Sequence, residues 1–389
     1  MTEKETIWSA PYVALMTTNF FQSMAAFMTN TTLPLYLDAL GAATSTVGVV
    51  VGAFAITALL VRPFAGPAFD SFSRKRLLLV AQTLIGVSLI GYGVAESIPV
   101  LFGVRLVHGI GIGCSGPLAM SLVSEFLPVS RLASGISIYA LAQSFAQVIG
   151  PAVGLWIAEA IGFSNAYFLS AASVIVAMVG VFFVKEPQRE RPPYRLALGR
   201  MFAREAVPKA IVLCLFSVSF AGLISYLVLY GSLLGIEGMG VYFIVYALCL
   251  VGTRPLFGKL ADRFGSAQVL VVGVMFFAAS YLMLWRVRDF AGMIAVAVVG
   301  SAGFGACAPL VQSMALASVP VERRGAASNT AFTGMDVGML LGPVVAGFVI
   351  EALVPVAGSV VGAYSLMWLV MLVPLAIAFV VVMRWALAR

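Results

Sequence analysis

The chain has 389 residues, of which 61% are hydrophobic and only 10% are charged. A soluble globular domain carries about 25% charged residues, so this composition excludes a water-soluble enzyme or binding module. The formal net charge of +7 is expected to reflect how Lys and Arg are distributed around a membrane, and not an affinity for nucleic acid.

Twelve continuous apolar runs are each long enough to cross the bilayer core, which takes about 20 helical residues. A β-barrel would instead show alternating strands of about ten residues. We predict an all-α integral membrane protein with 12 transmembrane helices. The runs are placed at 12–37, 45–67, 77–95, 98–124, 133–158, 164–184, 209–234, 240–260, 268–285, 290–316, 327–350 and 358–383.

Lys and Arg are distributed unevenly between alternate loops. With the N-terminus in the cytoplasm, eighteen of these residues lie on the cytoplasmic side, and only Arg286 and Arg288 lie on the other side. This bias predicts an inner-membrane protein with both termini in the cytoplasm. The segment 1–7 is polar and precedes a run long enough to span, so we expect no cleavable signal.

Predicted helix 1 carries large apolar side chains on one broad stripe, with amides beside it. The stripe is formed by Asn19, Phe20, Gln22, Met24 and Phe27. An apolar, Met-containing wall with a few amides suits an amphipathic organic substrate. Packing against lipid or other helices is the commoner cause of such a stripe, so both interpretations stay open.

The segment that ends helix 2 carries Arg62, Gly66, Asp70 and the basic run 74–76, which begins with Arg74. Glycine lets another helix approach closely, and an acid at the membrane surface can accept hydrogen bonds from a helix N-terminus. The basic run is expected to lie at the anionic leaflet.

Helix 4 contains Arg105 and, three residues later, His108, the only histidine in the chain. A buried arginine costs at least ~2.5 kcal/mol on insertion scales, so we expect Arg105 to face a cavity or a partner. The ordinary pKa of histidine makes His108 a candidate proton carrier. The alternative is a neutral histidine that bonds a neighbouring helix.

The sequence repeats itself at an offset of 192 residues. Helix 5 carries Gly150, Pro151 and Gly154, and the first two return as Gly342 and Pro343. The helix-2 residues return as Arg254, Gly258 and Asp262, and Arg263 follows directly. The polar, Arg- and Pro-rich stretch between the copies predicts an N-terminal six-helix bundle at 1–184, a cytoplasmic linker at 185–208 and a C-terminal bundle at 209–389.

These motifs resemble those of the major facilitator superfamily over essentially the whole chain. The loop after helix 2 looks like the signature loop of that family, and Arg105-x-x-x-Gly109-x-Gly111 is similar to its helix-4 motif. Gly150-Pro-x-x-Gly154 resembles the motif of its exporting, antiporter branches. The segments 33–36 and 62–63 look like those of the drug, sugar and metallophore efflux branches.

The resemblance implies alternating access between two pseudo-symmetric bundles, with helix 1 lining the cavity. It also implies that helices 2 and 11 pack against each other across the halves. Asp336 is the only acid in the middle of a predicted span, at a depth similar to that of Arg62. These two residues are therefore predicted to form a gating pair, although each can instead pair within its own half.

The sequence thus predicts proton-coupled efflux, with Arg105, His108 and Asp336 as the candidate coupling residues. The alternatives are a proton-symport importer and, with less support, a membrane-embedded enzyme or a sensor. We expect no catalytic residues, no metal and no cofactor beyond the proton gradient. The expected partners are a small-molecule substrate and the lipid bilayer, with no nucleic acid, and the chain is expected to act as a monomer.

Overall fold

The structure is a computed structural model that describes residues 7–128, 132–186, 193–194, 201–320 and 323–387. The side chains of residues 66, 70, 132–134, 136, 137, 306, 324 and 325 lie outside this description. The described residues form helices joined by short connections, with no strand among them. The helices are α1 (Ala10–Ala39), α2 (Thr44–Ser71), α3 (Arg74–Val94), α4 (Ile98–Glu125), α5 (Leu132–Ile161), α6 (Phe163–Phe182), α7 (Val207–Leu233), α8 (Met239–Phe264), α9 (Ser266–Arg286), α10 (Phe290–Ala317), α11 (Arg324–Ala357), α12 (Val360–Val370) and α13 (Leu372–Leu387).

In the described part of the chain, eleven helical segments are long and apolar enough to cross a membrane. The last of them, Val360–Leu387, joins α12 and α13 in a single span. Helix α1 is the twelfth helix of comparable length, with 30 residues, but it contains more amides and hydroxyls than the others. Helices suit this environment because they satisfy every backbone polar group within the segment.

The predicted spans agree with the helices to within a few residues, except at two places. Helix α11 continues to Ala357, whereas the predicted run stopped before Glu351. A charged residue ends an apolar run, but it does not end a helix that emerges from the hydrocarbon core. Predicted helix 12 is interrupted at Met371, because Pro374 has no N–H to donate to the carbonyl of residue 370. The hydroxyl of Ser219 donates to the carbonyl of Met371 at 2.9 Å.

The helix starts are fixed by residues with clear capping roles. Ser73 caps α3 by accepting from the Arg76 N–H, and Asp289 caps α10 by accepting from the Gly292 N–H. The serine before α12 accepts from Gly362 in the same way. These side chains satisfy N–H groups that the first turn of a helix leaves unpaired.

The chain divides into two compact units. Unit 1 comprises Met1–Thr32 and Ile56–Ala197, and unit 2 comprises Leu33–Ala55 and Leu198–Arg389. Within unit 1, α3 packs closely against both α4 and α6. Within unit 2, the most extensive pairings are α7 with α11 and α9 with α10. Helices α1 and α2 each contribute residues to both units.

Candidate functional site

The ionisable residues of α4 are buried inside unit 1 and bonded to neighbouring helices. Arg105 is 0% exposed and His108 is 1% exposed. The Arg105 Nη2 donates to Asn30 Oδ1 on α1 at 3.0 Å. The Tyr92 hydroxyl on α3 lies 3.1 Å from His108 Nδ1, and the Tyr92 ring packs against Tyr167 of α6. His108 therefore has the bond to a neighbouring helix that the sequence left as one alternative, and its part in proton coupling stays a prediction.

Amides of α1 are used in bonds between helices of unit 1. Asn19 Nδ2 donates to the carbonyl of Tyr139 on α5 at 3.0 Å. Gln22 donates to the Ser115 hydroxyl at 2.8 Å and accepts from Gln82 at 3.1 Å. These amides hold α1 to α3, α4 and α5, so the structure shows a packing role for them, and their part in substrate binding stays a prediction.

The apolar side chains predicted to line the cavity lie on α1. Phe20, Met24 and Phe27 are each half-buried. Met24 and Phe27 also form the surface on which α5 packs, because a Cβ added at Gly150 would lie 2.9 Å from the Met24 carbonyl oxygen and 3.0 Å from the Phe27 Cβ. A Cβ at Gly154 would lie 3.1 Å from the Met28 Cα. This part of the motif thus allows a close approach of α1 and α5.

The second-half copy of the motif makes the equivalent contact in unit 2. A Cβ added at Gly342 of α11 would lie 2.3 Å from the Val218 carbonyl oxygen and 2.9 Å from the Ala221 Cβ on α7. Val218 and Ala221 stand 194 residues after Met24 and Phe27. The repeat in the sequence is therefore also a repeat in helix packing.

The signature loop of the first half is fastened at the ends of four helices. Arg74 Nε donates to the carbonyl of Phe69 at 3.1 Å, and its guanidinium forms an ion pair with Glu125 at the end of α4. Glu186 accepts from the Arg74 backbone N–H at 2.8 Å and from the Ser73 hydroxyl. Glu125 and Glu186 were not predicted; the signal available was an acid beside the end of a span on a strongly basic side.

The three residues of the basic run 74–76 make different contacts, as Lys75 shows. Its Nζ donates to the carbonyls of Phe182 and Val184 at the end of α6, both at 2.7 Å. Arg74 is also engaged within the protein, which leaves Arg76 as the exposed member of the run. The side chains of Gly66 and Asp70 lie outside the described residues.

The corresponding segment of the second half, at the end of α8, carries charged side chains that are exposed. Arg254 is half-buried on α8, whereas Asp262 and Arg263 are exposed, with the Arg263 guanidinium 5.2 Å from the Phe264 ring. Within the described residues, a Cβ added at Gly258 would meet no atom within 4 Å, so a close helix approach at Gly258 stays a prediction.

The two residues of the predicted gating pair lie in different units. Arg62 is half-buried on α2 in unit 1, and Asp336 is 6% exposed on α11 in unit 2. Both are ionisable residues inside membrane-spanning helices, where such groups are by default functional candidates. Their pairing stays a prediction.

Tyr226 of α7, which the sequence did not single out, fastens the start of α2 within unit 2. Its hydroxyl donates to the Thr44 carbonyl at 2.6 Å and lies 3.2 Å from the Pro343 carbonyl oxygen. A Cβ added at Gly48 would lie only 2.1 Å from that same Pro343 oxygen. Gly342 and Pro343 thus contact different helices: Gly342 packs on α7, and the carbonyl oxygen of Pro343 lies against α2.

An all-helical chain with arginine, histidine and aspartate buried inside membrane-spanning helices has the features of a polytopic membrane transport protein. The chain belongs to the Major Facilitator Superfamily, whose family model matches residues 15–254 and 234–389. It is therefore a multi-pass membrane transporter and not an enzyme, as predicted. The predicted all-α fold with 12 transmembrane helices is likewise confirmed.

Known proteins similar to this chain include bacterial resistance proteins. Multidrug resistance protein 1 of Bacillus subtilis is 22% identical, over 87% of this chain and 89% of its own length. The quinolone resistance protein NorA of Staphylococcus aureus is 22% identical, over 81% of this chain and 83% of its own. The solved structure of a mutant of the nucleoside transporter NupG matches 96% of this chain and 99% of its own with a TM-score of 0.80, at 13% identity, which shows the shared fold.

Proposed function

We propose that this transporter exports a small amphipathic organic molecule in exchange for protons, by alternating access. The observation that carries the proposal is the buried arrangement of Arg105, His108 and Tyr92, because ionisable groups inside a bilayer are costly and mark ion or substrate pathways. Export is favoured over import by the Gly-Pro motif of both halves and by the names of the similar resistance proteins.

The test is transport in proteoliposomes with an imposed pH gradient. The purified protein is assayed with a panel of lipophilic dyes that carry positive, zero or negative charge. Export predicts that dye moves against the direction in which protons flow, and that an ionophore that collapses the gradient stops accumulation. Movement of dye together with protons would instead identify the importer.

The proposed location is the inner membrane, with both termini in the cytoplasm, since Lys and Arg favour one side of the predicted topology. Cysteines introduced at Gln188 and Ser266 are expected to react only from the cytoplasm, and one at Ser97 only from outside. Labelling of position 188 by an impermeant reagent added outside intact cells would reverse this orientation.

We further propose that Arg62 and Asp336 form a charged pair that closes the cytoplasmic side. Removing one partner should harm transport more than removing both, because the remaining buried charge is left uncompensated. A double-mutant cycle with Arg62→Ala and Asp336→Ala measures this coupling. Additive effects would show that the residues do not interact, and recovery by the exchange Arg62→Asp with Asp336→Arg would support the pair.

Asp336 can also act alone as the proton carrier. In that case Asp336→Asn abolishes proton-driven accumulation while exchange of substrate across the membrane survives, whatever residue occupies position 62. Loss of both activities would assign Asp336 to the gate or to folding, and would leave Arg105 and His108 as the coupling residues.

A further inference from the structure

Unit 2 contains two buried tyrosines with the same unusual feature. Tyr242 and Tyr246 lie one turn apart on α8 and are 1% and 4% exposed. Their rings stack with a centroid separation of 6.0 Å and an interplanar angle of 18°. Within the described part of the chain, neither hydroxyl has a hydrogen-bond partner. Buried hydroxyls are nearly always hydrogen-bonded, so two adjacent exceptions require an explanation.

The repeat shows that helix packing does not require these hydroxyls. The first-half residues 192 positions earlier are Val50 and Phe54, which are buried at the equivalent turns of α2. A phenylalanine or a smaller apolar residue therefore fills this place in the other copy of the fold. The phenolic oxygens are an addition of the second half, and they are not needed to build the helix.

A neighbouring tyrosine shows the ordinary arrangement. The hydroxyl of Tyr281 on α9, also buried, donates to the Ser219 carbonyl at 2.6 Å. Tyr281 is thus bonded to the protein itself, whereas Tyr242 and Tyr246 have no such bond in the ranges that the structure describes. The three side chains differ in hydrogen bonding and not in residue type or burial, which makes Tyr281 a matched control.

A cationic side chain lies on the same helix as this pair of tyrosines. Arg254 is half-buried and lies about two turns beyond Tyr246 on the same helix, α8. A guanidinium only donates, and a phenol has one proton to donate. The chemical group that satisfies both phenols and complements the arginine is an acceptor oxygen with negative charge, such as a carboxylate.

We propose that Tyr242, Tyr246 and Arg254 form a subsite for an anionic oxygen of the transported molecule, so that the substrate class is amphipathic organic anions. This inference rests on the proposed transport function and specifies its substrate. Gly300 on α10 faces the same place, since a Cβ added there would lie 3.9 Å from the Tyr246 ring.

The experiment compares two dyes of the same xanthene scaffold, the carboxylate fluorescein and the cationic ester rhodamine 6G. Rates are measured in liposomes of neutral phosphatidylcholine, so that no anionic headgroup competes for the subsite, at a pH at which the fluorescein carboxylate is ionised. The wild-type protein is expected to prefer fluorescein. The double variant Tyr242→Phe with Tyr246→Phe is expected to lower the fluorescein-to-rhodamine rate ratio about tenfold or more, because bonds to a charged group are lost.

Stability separates a binding role from a structural one. The double variant removes hydroxyls that have no hydrogen-bond partner among the described residues, so its melting temperature should stay the same or rise. Tyr281→Phe removes a bonded hydroxyl, so it should lower the melting temperature and leave the dye ratio unchanged. A dye ratio that changes less than about twofold in the double variant, or a wild-type protein that carries only rhodamine 6G, would overturn the anionic subsite. Transport of neither dye would overturn the proposed export of organic molecules as well.

Discussion

Helices α4 and α10 are equivalent elements of the repeat, and they carry opposite kinds of residues. Arg105 and His108 are buried in α4, whereas the residues 192 positions later in α10 are Ala297 and Gly300. Helix α4 therefore places a buried arginine and a buried histidine where α10 is small and apolar. A duplicated scaffold does not need the same chemistry twice, so the candidate coupling residues Arg105 and His108 belong to the first half alone, whereas the candidate Asp336 belongs to the second.

Helices α2 and α8 show the reverse difference. Val50 and Phe54 in α2 correspond to Tyr242 and Tyr246 in α8, where the second half adds neutral hydrogen-bond donors. What both halves keep is the packing: Gly150 meets α1 as Gly342 meets α7. Gly150 and Gly342 thus show packing that both halves share, whereas Arg105, His108, Tyr242 and Tyr246 have no equivalent in the other half.

The largest expected effect is at Arg105. Arg105→Ala should lower gradient-driven transport about 100-fold, because the guanidinium that binds Asn30 is the buried charge of α4. Initial rates in proteoliposomes measure this, with the amount of folded protein checked by size-exclusion chromatography. Arg105→Lys keeps the charge but not the planar donor geometry and should give an intermediate rate. Normal transport by Arg105→Ala would show that the buried arginine of the first half has no role in transport.

Packing should be sensitive in both halves. Gly342→Ala places a Cβ 2.3 Å from a backbone oxygen and should cost about 1–3 kcal/mol of stability. Gly150→Ala, with its nearest atom at 2.9 Å, should cost less. Thermal unfolding in detergent measures the order of stability of these variants. Gly258→Ala is the control, since its Cβ would meet no described atom within 4 Å, and alanine favours helix over glycine by about 1 kcal/mol. Equal effects at all three positions would contradict the repeated contact.

The basic run 74–76 of the first-half loop provides a smaller test, since the residues 192 positions later are the uncharged Ser266, Ala267 and Gln268. Lys75→Met removes two bonds to the end of α6 and should lower stability by about 1–2 kcal/mol. Glu186→Gln weakens the acceptor at the start of α3 and should have a similar effect. Arg76→Met, at the exposed member of the run, is the control and should change the melting temperature little. An equal loss in the control would favour a general charge effect at the surface.

The smallest expected effect is at His108. His108→Ala should reduce proton-driven transport by about two- to tenfold, since the histidine shares a hydrogen bond with Tyr92 and is not the principal charge. Tyr92→Phe removes the same bond and leaves the imidazole. If both variants reduce proton-driven transport equally, the hydrogen bond between Tyr92 and His108 is what transport requires. If only His108→Ala reduces proton-driven transport, the imidazole itself carries protons.

The fold was predictable because its signal is long and redundant. Twelve apolar runs and a 192-residue repeat fix the helices, and the glycine contacts of α5 and α11 follow from the same repeat. The break at Met371 was missed because an apolar run hides a single proline. Helix α11 was cut short because a charge was taken as its end.

The candidate site was less predictable, since it depends on which side chains meet. Arg105 and His108 were found because a charge within an apolar run is conspicuous. Their partners, Tyr92 and Asn30, carry no such signal, because tyrosine and asparagine occur throughout membrane helices. The sequence predicts that the amide of Gln22 lines the cavity, yet both of its polar atoms form hydrogen bonds with residues on neighbouring helices.

The most direct measurement separates proton coupling by Arg105 from substrate binding by Tyr242 and Tyr246 in one assay. Proteoliposomes containing Arg105→Ala, or Tyr242→Phe with Tyr246→Phe, are assayed for pH-gradient-driven accumulation and for gradient-free exchange of fluorescein. We expect Arg105→Ala to lose accumulation and keep exchange, whereas the tyrosine double variant should lose both at low fluorescein concentration and regain both at high concentration. Equal loss of accumulation and exchange in both variants, unrelieved by fluorescein concentration, would contradict a division of coupling and substrate binding between the two halves.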